Sequence, residues 1–288
     1  MRTQHLRAKP HPSGTTADLL LPDASAGRWK RALRTAVLRA TGVARVLRTV
    51  EAERRSGATG EERFMARLLK RFGIAWTVAH GTPASIPRTG GTIVIANHPF
   101  GAAEGMILHE IVHAERPDTR TMAAYQLRVV PELQSEFIFV DAVNGPDARR
   151  ANLRPMADTV RWLEAGGTLV LFPAGAISQY SFREGMVLDP VWYPLLAGLV
   201  RRCRPTVVPT FVHGGNSLLF RAIGYVLPKL STLLLAREIL NKRGRTIGIS
   251  IGEPVSADQL LALGSDQAIT AELRARSYAF AKKPPRPG

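Results

Sequence analysis

The stretch Asn97-His98-Pro99-Phe100-Gly101-Ala102-Ala103-Glu104-Gly105 follows directly on the apolar run TIVIA. A histidine and a glutamate at this spacing can perform acid–base chemistry if the chain between them folds back. Pro99 and Gly101 supply the bend, and Glu104 falls at the start of the helix that follows. One imidazole nitrogen could then share a proton with Glu104 while the other accepts one from a substrate. Such a pair is two-thirds of a serine-hydrolase triad with the nucleophile missing. The attacking hydroxyl or amine would have to come from a substrate. A structural histidine at a strand end satisfies the same spacing, and the residues alone leave both readings open.

A second pattern lies close by. His109-Glu110-Ile111-Val112-His113 matches His-Glu-x-x-His, which sets two imidazoles on one helical face for zinc, with Glu110 as base. Glu132 or Glu136 would be the third ligand. The metzincin extension fails, because Arg116 stands where it requires glycine. The single cysteine, Cys203 in RRCRP, excludes an internal disulfide and reads as a small filler residue, since no histidine accompanies it.

These residues need a scaffold. TIVIA (92–96), FIFVD (137–141), TLVLF (168–172), TVVPTFV (206–212) and TIGISIG (246–252) read as strands, rich in β-branched and aromatic residues. Helical patterns alternate with them. Leu153, Met156, Val160 and Leu163 share one helix face, and Gly166-Gly167 ends that helix. The expected fold is α/β, a mixed, largely parallel sheet flanked by helices and preceded by an N-terminal helical segment. In that segment Trp29, Leu33, Val37, Val43 and Leu47 recur at helical spacing over 29–50, with Gly42 weakening the middle. A further helix is expected over 60–72. The organisation is a mobile basic arm (1–26), the helical segment (27–84), suited to lie against a membrane, a catalytic domain (85–281) and a tail (282–288).

The 288 residues carry 39 Lys plus Arg against 23 Asp plus Glu, a formal charge of +16, with 45% hydrophobic residues. That surplus favours an anionic partner such as lipid headgroups or an acidic carrier protein. The N-terminus lacks the charged start and apolar core of a signal peptide. No apolar run reaches the roughly 18 residues of a spanning helix, since Arg221, Pro228 and Lys229 interrupt the nearest, at 218–236. The chain is therefore expected not to span a membrane.

The block NHPFGAAEG resembles the first block of the lysophospholipid (glycerolipid) acyltransferase superfamily, whose signature is Asn-His-x-x-x-x-Asp. It is more similar still to a bacterial branch labelled hemolysin or ornithine-lipid-type acyltransferases. LFPAGAIS (171–178), LDPVW (188–192), VVPTFVHGGNSLLF (207–220) and EILNKRGRTIGISIGEPV (238–255) resemble that branch's later blocks, in its order.

The resemblance implies that His98 is the general base on an acceptor hydroxyl and Glu104 its orienting partner. The acceptor attacks an acyl thioester, acyl-CoA or acyl carrier protein as co-substrate, with no cofactor, no metal and no covalent enzyme intermediate. Backbone N–H groups around Pro173, Ala174 and Gly175 would stabilise the oxyanion. Asn97, Pro99, Phe100, Gly101, Phe172, Arg149, Arg183, His213 and Asn216 lie in family blocks or near acceptor-binding positions and are the further substrate-binding candidates. For the arginines, a solvated surface is the competing reading. Two residues depart from the superfamily pattern: Glu104 replaces Asp, and Ala174 stands where the phosphate-acceptor enzymes carry Glu. The second favours a lyso-lipid with another headgroup. The implied setting is peripheral, on the cytoplasmic face of the inner membrane, with membrane lipids and an anionic surface as partners and no nucleic acid. A non-enzymatic basic membrane-binding protein is the remaining alternative, and it leaves the His98 block unexplained.

Overall fold

The computed structural model describes residues 27–56, 62–141, 146–226 and 234–282. The expected arm at 1–26 and nearly all of the expected tail lie outside these. Three helices come first: α1 (Arg28–Ala40), α2 (Val43–Arg55) and α3 (Phe64–Phe72). The α/β body follows as β1 (Ile74–His80), β2 (Thr92–Ile95), α4 (Ala103–Glu115), β3 (Thr119–Ala124), β4 (Phe137–Val140), α5 (Pro146–Glu164) and β5 (Thr168–Leu171). A short hairpin of β6 (Gln179–Ser181) and β7 (Met186–Leu188) leads to α6 (Leu195–Cys203) and β8 (Thr206–Val212). Then come α7 (Leu218–Val226), α8 (Leu235–Leu240), β9 (Arg245–Ile251), α9 (Ala257–Leu261) and α10 (Asp266–Tyr278).

Seven strands form one sheet in the order β1-β9-β8-β2-β5-β3-β4. All neighbouring pairs are parallel except β8 with β9, which is antiparallel. The α/β expectation is met, with a mixed and mostly parallel sheet. Helices cover both faces, so the central strands are apolar without polar alternation. In β2, Val94 and the following Ala96 enter the core under α3 and α4, while Ile93 and Ile95 enter the core under α5, α6 and α10. Strand β5 divides in the same way, Val170 to one side and Leu169 and Leu171 to the other. The side-chain period of two thus stitches both cores through the same strands.

Three expectations need revision. The helix expected over 29–50 is two helices, broken where Gly42 adopts φ +79°, and a Cβ there would come within 2.9 Å of Leu240 Cδ1. The stretch 27–84 is not helical throughout, because 74–80 is strand β1, paired in parallel with β9. Four strands, β1, β3, β6 and β7, were not anticipated. The segment 218–236 is helical at 218–226 and again from 235, with 227–233 outside the described residues. No helix among the described residues is long and apolar enough to cross a membrane.

Two buried charges fasten the helices to this frame. Glu53 of α2, 3% exposed, takes Arg67 and Arg71 of α3 on its two oxygens, which clamps the helical hairpin together. Arg116, also 3% exposed, pairs with Asp118 and donates to the carbonyls of Pro87, Gly90 and Gly166. It gathers the loop ends at the N-terminal edge of β2 and β5. Arg116→Met should lower unfolding stability by about 3 kcal/mol, because those carbonyls are left unsatisfied. A fall in the urea midpoint at unchanged slope would show it.

Candidate active site

The candidate site's turn begins where β2 ends. Asn97 carries the sheet one residue further: its Nδ2 donates to the Val212 carbonyl at 3.0 Å and its Oδ1 accepts the Val212 N–H at 2.7 Å. Both halves of the amide serve the backbone of β8. The chain then turns through Pro99 and Gly101, the latter at φ +94°. A side chain at 101 would collide with Ile177 Cδ1 at 2.7 Å and Leu235 Cδ2 at 2.9 Å, so glycine is required on both counts.

Glu104, on the first turn of α4, closes the turn from inside. Its Oε1 accepts the N–H groups of Phe100 and Gly101, each at 2.8 Å, and lies 3.1 Å from His98 Nδ1. The approach to the imidazole is off the line of a straight hydrogen bond. The carboxylate is fully buried, and its Oε2 has no hydrogen-bond partner among the described residues. Burial alone would raise its pKa. The His98 imidazole and the N–H groups of Gly101 and Phe100 outweigh that and hold it below its ordinary value.

His98 is held from the other side as well. Its backbone N–H donates to Asp189 Oδ1 at 3.0 Å, and its carbonyl accepts the Ser178 N–H at 2.9 Å. Asp189, 4% exposed, also accepts the Ser178 hydroxyl and the Trp192 indole N–H. The imidazole packs on the Phe172 ring, with centroids 4.4 Å apart and planes tilted by 34°. Asp189 thus positions the His98 backbone while Glu104 positions its ring. The segment LDPVW does not reveal this role for Asp189, since a carboxylate that binds only neutral donors has no pairing signature in the sequence.

Beside this pair opens a cavity of about 650 Å³. His98, Gly101, Phe172, Pro173 and Gly175 contribute to its wall. Much of the remainder comes from Val46, Val50, Phe64, Leu68 and Phe72 of the three N-terminal helices, and from Leu171, Leu195 and Leu196. Thr121, Asp141 and Asn152 add a few polar groups, and Asn152 exchanges two hydrogen bonds with the Asp141 backbone. An apolar chamber with few polar groups suits a hydrocarbon chain with one reactive end.

The other candidates lie elsewhere. Phe100 and Asn216 are buried behind the turn, where Asn216 donates to the Phe100 carbonyl and accepts Lys242 Nζ at 3.3 Å each. Lys242 lies 4.7 Å from the Phe100 ring centroid and pairs with buried Glu238. Burial lowers its pKa, which the Glu238 carboxylate opposes without overcoming. His213 bonds to Ser250 and is likewise shifted down by burial. Arg183 points to solvent beside Glu184, 94% exposed. Pro99 and Ala174 are buried outside the cavity wall. The side chain of Arg149 lies outside the described residues.

The His-Glu-x-x-His residues face a guanidinium. Arg63 reaches His109 Nε2 at 3.0 Å, Glu136 at 2.7 Å and Glu110 at 3.2 Å, and also contacts His113 Nε2. His109 Nδ1 meets Thr121 Oγ1 at 2.9 Å. Burial, followed by the nearby Arg63 charge, lowers the His113 pKa. Among the described residues no three His, Cys, Asp or Glu side chains converge to hold a metal.

Residues 25–284 match a family model described as Acyltransferase. The chain belongs to this acyltransferase family. The crystal structure of the 1-acyl-sn-glycerophosphate (LPA) acyltransferase PlsC from Thermotoga maritima shares the fold, with a TM-score of 0.51. The two are 16% identical, and the match covers 78% of each chain. No curated protein matches the sequence.

In this acyltransferase the ionised form of Glu104 stabilises the fold above its ordinary value of 4.5, and that contribution is lost as pH falls through its lower folded value. On acidification below about pH 4.5 the urea midpoint of the native chain should therefore fall more steeply than that of Glu104→Gln.

Proposed function

We propose that this acyltransferase moves a fatty acyl chain from an acyl thioester onto the hydroxyl of a lyso-lipid. The observation that carries the reading is His98 in the wall of a large apolar cavity, with Glu104 buried against its ring. With Nδ1 turned to Glu104, Nε2 is the nitrogen left to take the acceptor's proton. The acceptor oxygen then attacks the thioester carbonyl, the C–S bond breaks, and the thiolate leaves with the proton returned by the imidazolium. Glu104 stabilises that imidazolium while it exists. Phe172, packed on the ring, limits its rotation.

The donor is acyl-CoA or an acyl carrier protein. Ala174 in place of the glutamate of phosphate-acceptor enzymes favours an acceptor with a different headgroup, such as an aminoacyl lipid. The +16 charge supports a peripheral position on the anionic cytoplasmic face of the inner membrane. Exposed apolar residues on the N-terminal hairpin, among them Trp29 and Leu47, support the same placement.

His98→Ala should cut transfer to lyso-lipids by between about 100-fold and 10,000-fold, while binding to lipid vesicles persists. Undiminished transfer in that variant would refute the assigned base. Glu104→Asp should retain more activity than Glu104→Gln, because only the first keeps a charge for the imidazolium. Chelation and zinc analysis separate this reading from a metallohydrolase: activity is expected to survive chelator, and stoichiometric zinc lost together with activity would favour the His109–His113 motif.

A further inference from the structure

A second pocket, of about 330 Å³, lies where the end of α1, the start of α2 and α8 meet. Its wall carries Arg39, Arg45, Arg48 and Arg237 and no carboxylate. Among the described residues none of the four has an ion-pair partner, whereas Arg54, Arg55, Arg67 and Arg71 nearby all do. All four side chains are exposed, so solvent screens part of their mutual repulsion, and a bound anion would relieve what remains. The backbone adds to this. Helix α2 starts at Gly42 with no side-chain cap and no acid in its first turn. The N–H groups of Val43 and Ala44 have no acceptor among the described residues, and Ala44 lines the pocket. Gly42 forms part of the wall, where a side chain would press on Leu240 and the Arg237 backbone.

We propose that this pocket binds a multiply charged phosphate group, with the arginines as planar, two-pronged donors. A phosphate monoester or pyrophosphate suits it better than a carboxylate, because four cations and free helix-start N–H groups call for more than one negative charge. Helices α2 and α8 also wall the large cavity, through Val46, Val50 and Ile239. The phosphate therefore binds across the same two helices from the apolar chamber. It can come from the headgroup of an anionic phospholipid or from the phosphates of a coenzyme A thioester, which share this chemistry.

The test reads binding without turnover, so its result stands apart from the acyl-transfer reading. The full chain is compared with Arg45→Gln/Arg48→Gln/Arg237→Gln and with a charge-matched control, Arg161→Gln/Arg202→Gln/Arg276→Gln. Each is titrated at ~0.1 M salt, where distant surface charges are largely screened. One probe is phosphatidylcholine vesicles containing phosphatidic acid, followed by sedimentation, and the other is free coenzyme A, followed by calorimetry. The pocket variant should weaken at least one of these by about tenfold or more, and the control by less than about twofold. Loss confined to vesicles names the lipid headgroup, loss confined to coenzyme A names the donor, and loss of both means the pocket accepts either. Because the variant relieves repulsion, its thermal midpoint should equal or exceed that of the native chain, which separates lost binding from lost folding. Equal weakening by both variants would assign the effect to the overall field and overturn the site. So would a native chain that binds neither probe.

Discussion

The arrangement depends on a carboxylate turned inward at the end of a buried strand. Glu104 holds two backbone N–H groups and an imidazole on one oxygen, in a place where water cannot compensate for any of them. Burial makes the charged form expensive, and the three donors make it tolerable only in this one geometry. The turn, the ring and the start of α4 are consequently fixed together. Removing any one partner would leave the others around an unsatisfied buried charge.

Around that point the protein builds concentric support. Asn97 and Asp189 lock the backbone on either side of His98, one through β8 and the other through Ser178 and Trp192. Behind the turn, Asn216, Lys242 and Glu238 form a buried polar string that ends on the Phe100 carbonyl. A reactive imidazole on a loop would wander. Here the loop is tied at nearly every residue, and the freedom left is on the side that faces the cavity.

What the sequence made legible follows from what kind of force was acting. The strands TIVI, TLVL and TVVPTFV are buried on both faces and the edge strand FIFV is half so, and composition alone exposed them. Strand β3, TRTMAA, lacks that signature because Arg120 stacks on the Trp162 indole and its two alanines line the cavity. The helix break at Gly42 was visible as a weakness but not as a corner, since Leu240 and the Arg237 backbone, distant in sequence, make the site too tight for a side chain. Local spacing brought His98 and Glu104 together on paper. It could not show that Asn97, Phe100 and Asn216 serve the backbone, because their partners lie more than a hundred residues away in the chain. Nor could it show that the His-Glu-x-x-His face already has a cation, since Arg63, the residue before α3, lies nearly fifty positions earlier.

The N-terminal helices, a segment suited to lie against a membrane, also form one wall of the cavity, with the sheet and its loops forming the other. The Glu53 clamp keeps that wall in one piece. A hydrocarbon lodged between the two halves would be gripped from both sides, and each methylene it buried would add about 0.8 kcal/mol. Two more carbons would then lengthen its residence roughly tenfold. For such an enclosure, the pace of a cycle would be set by the length of what must leave.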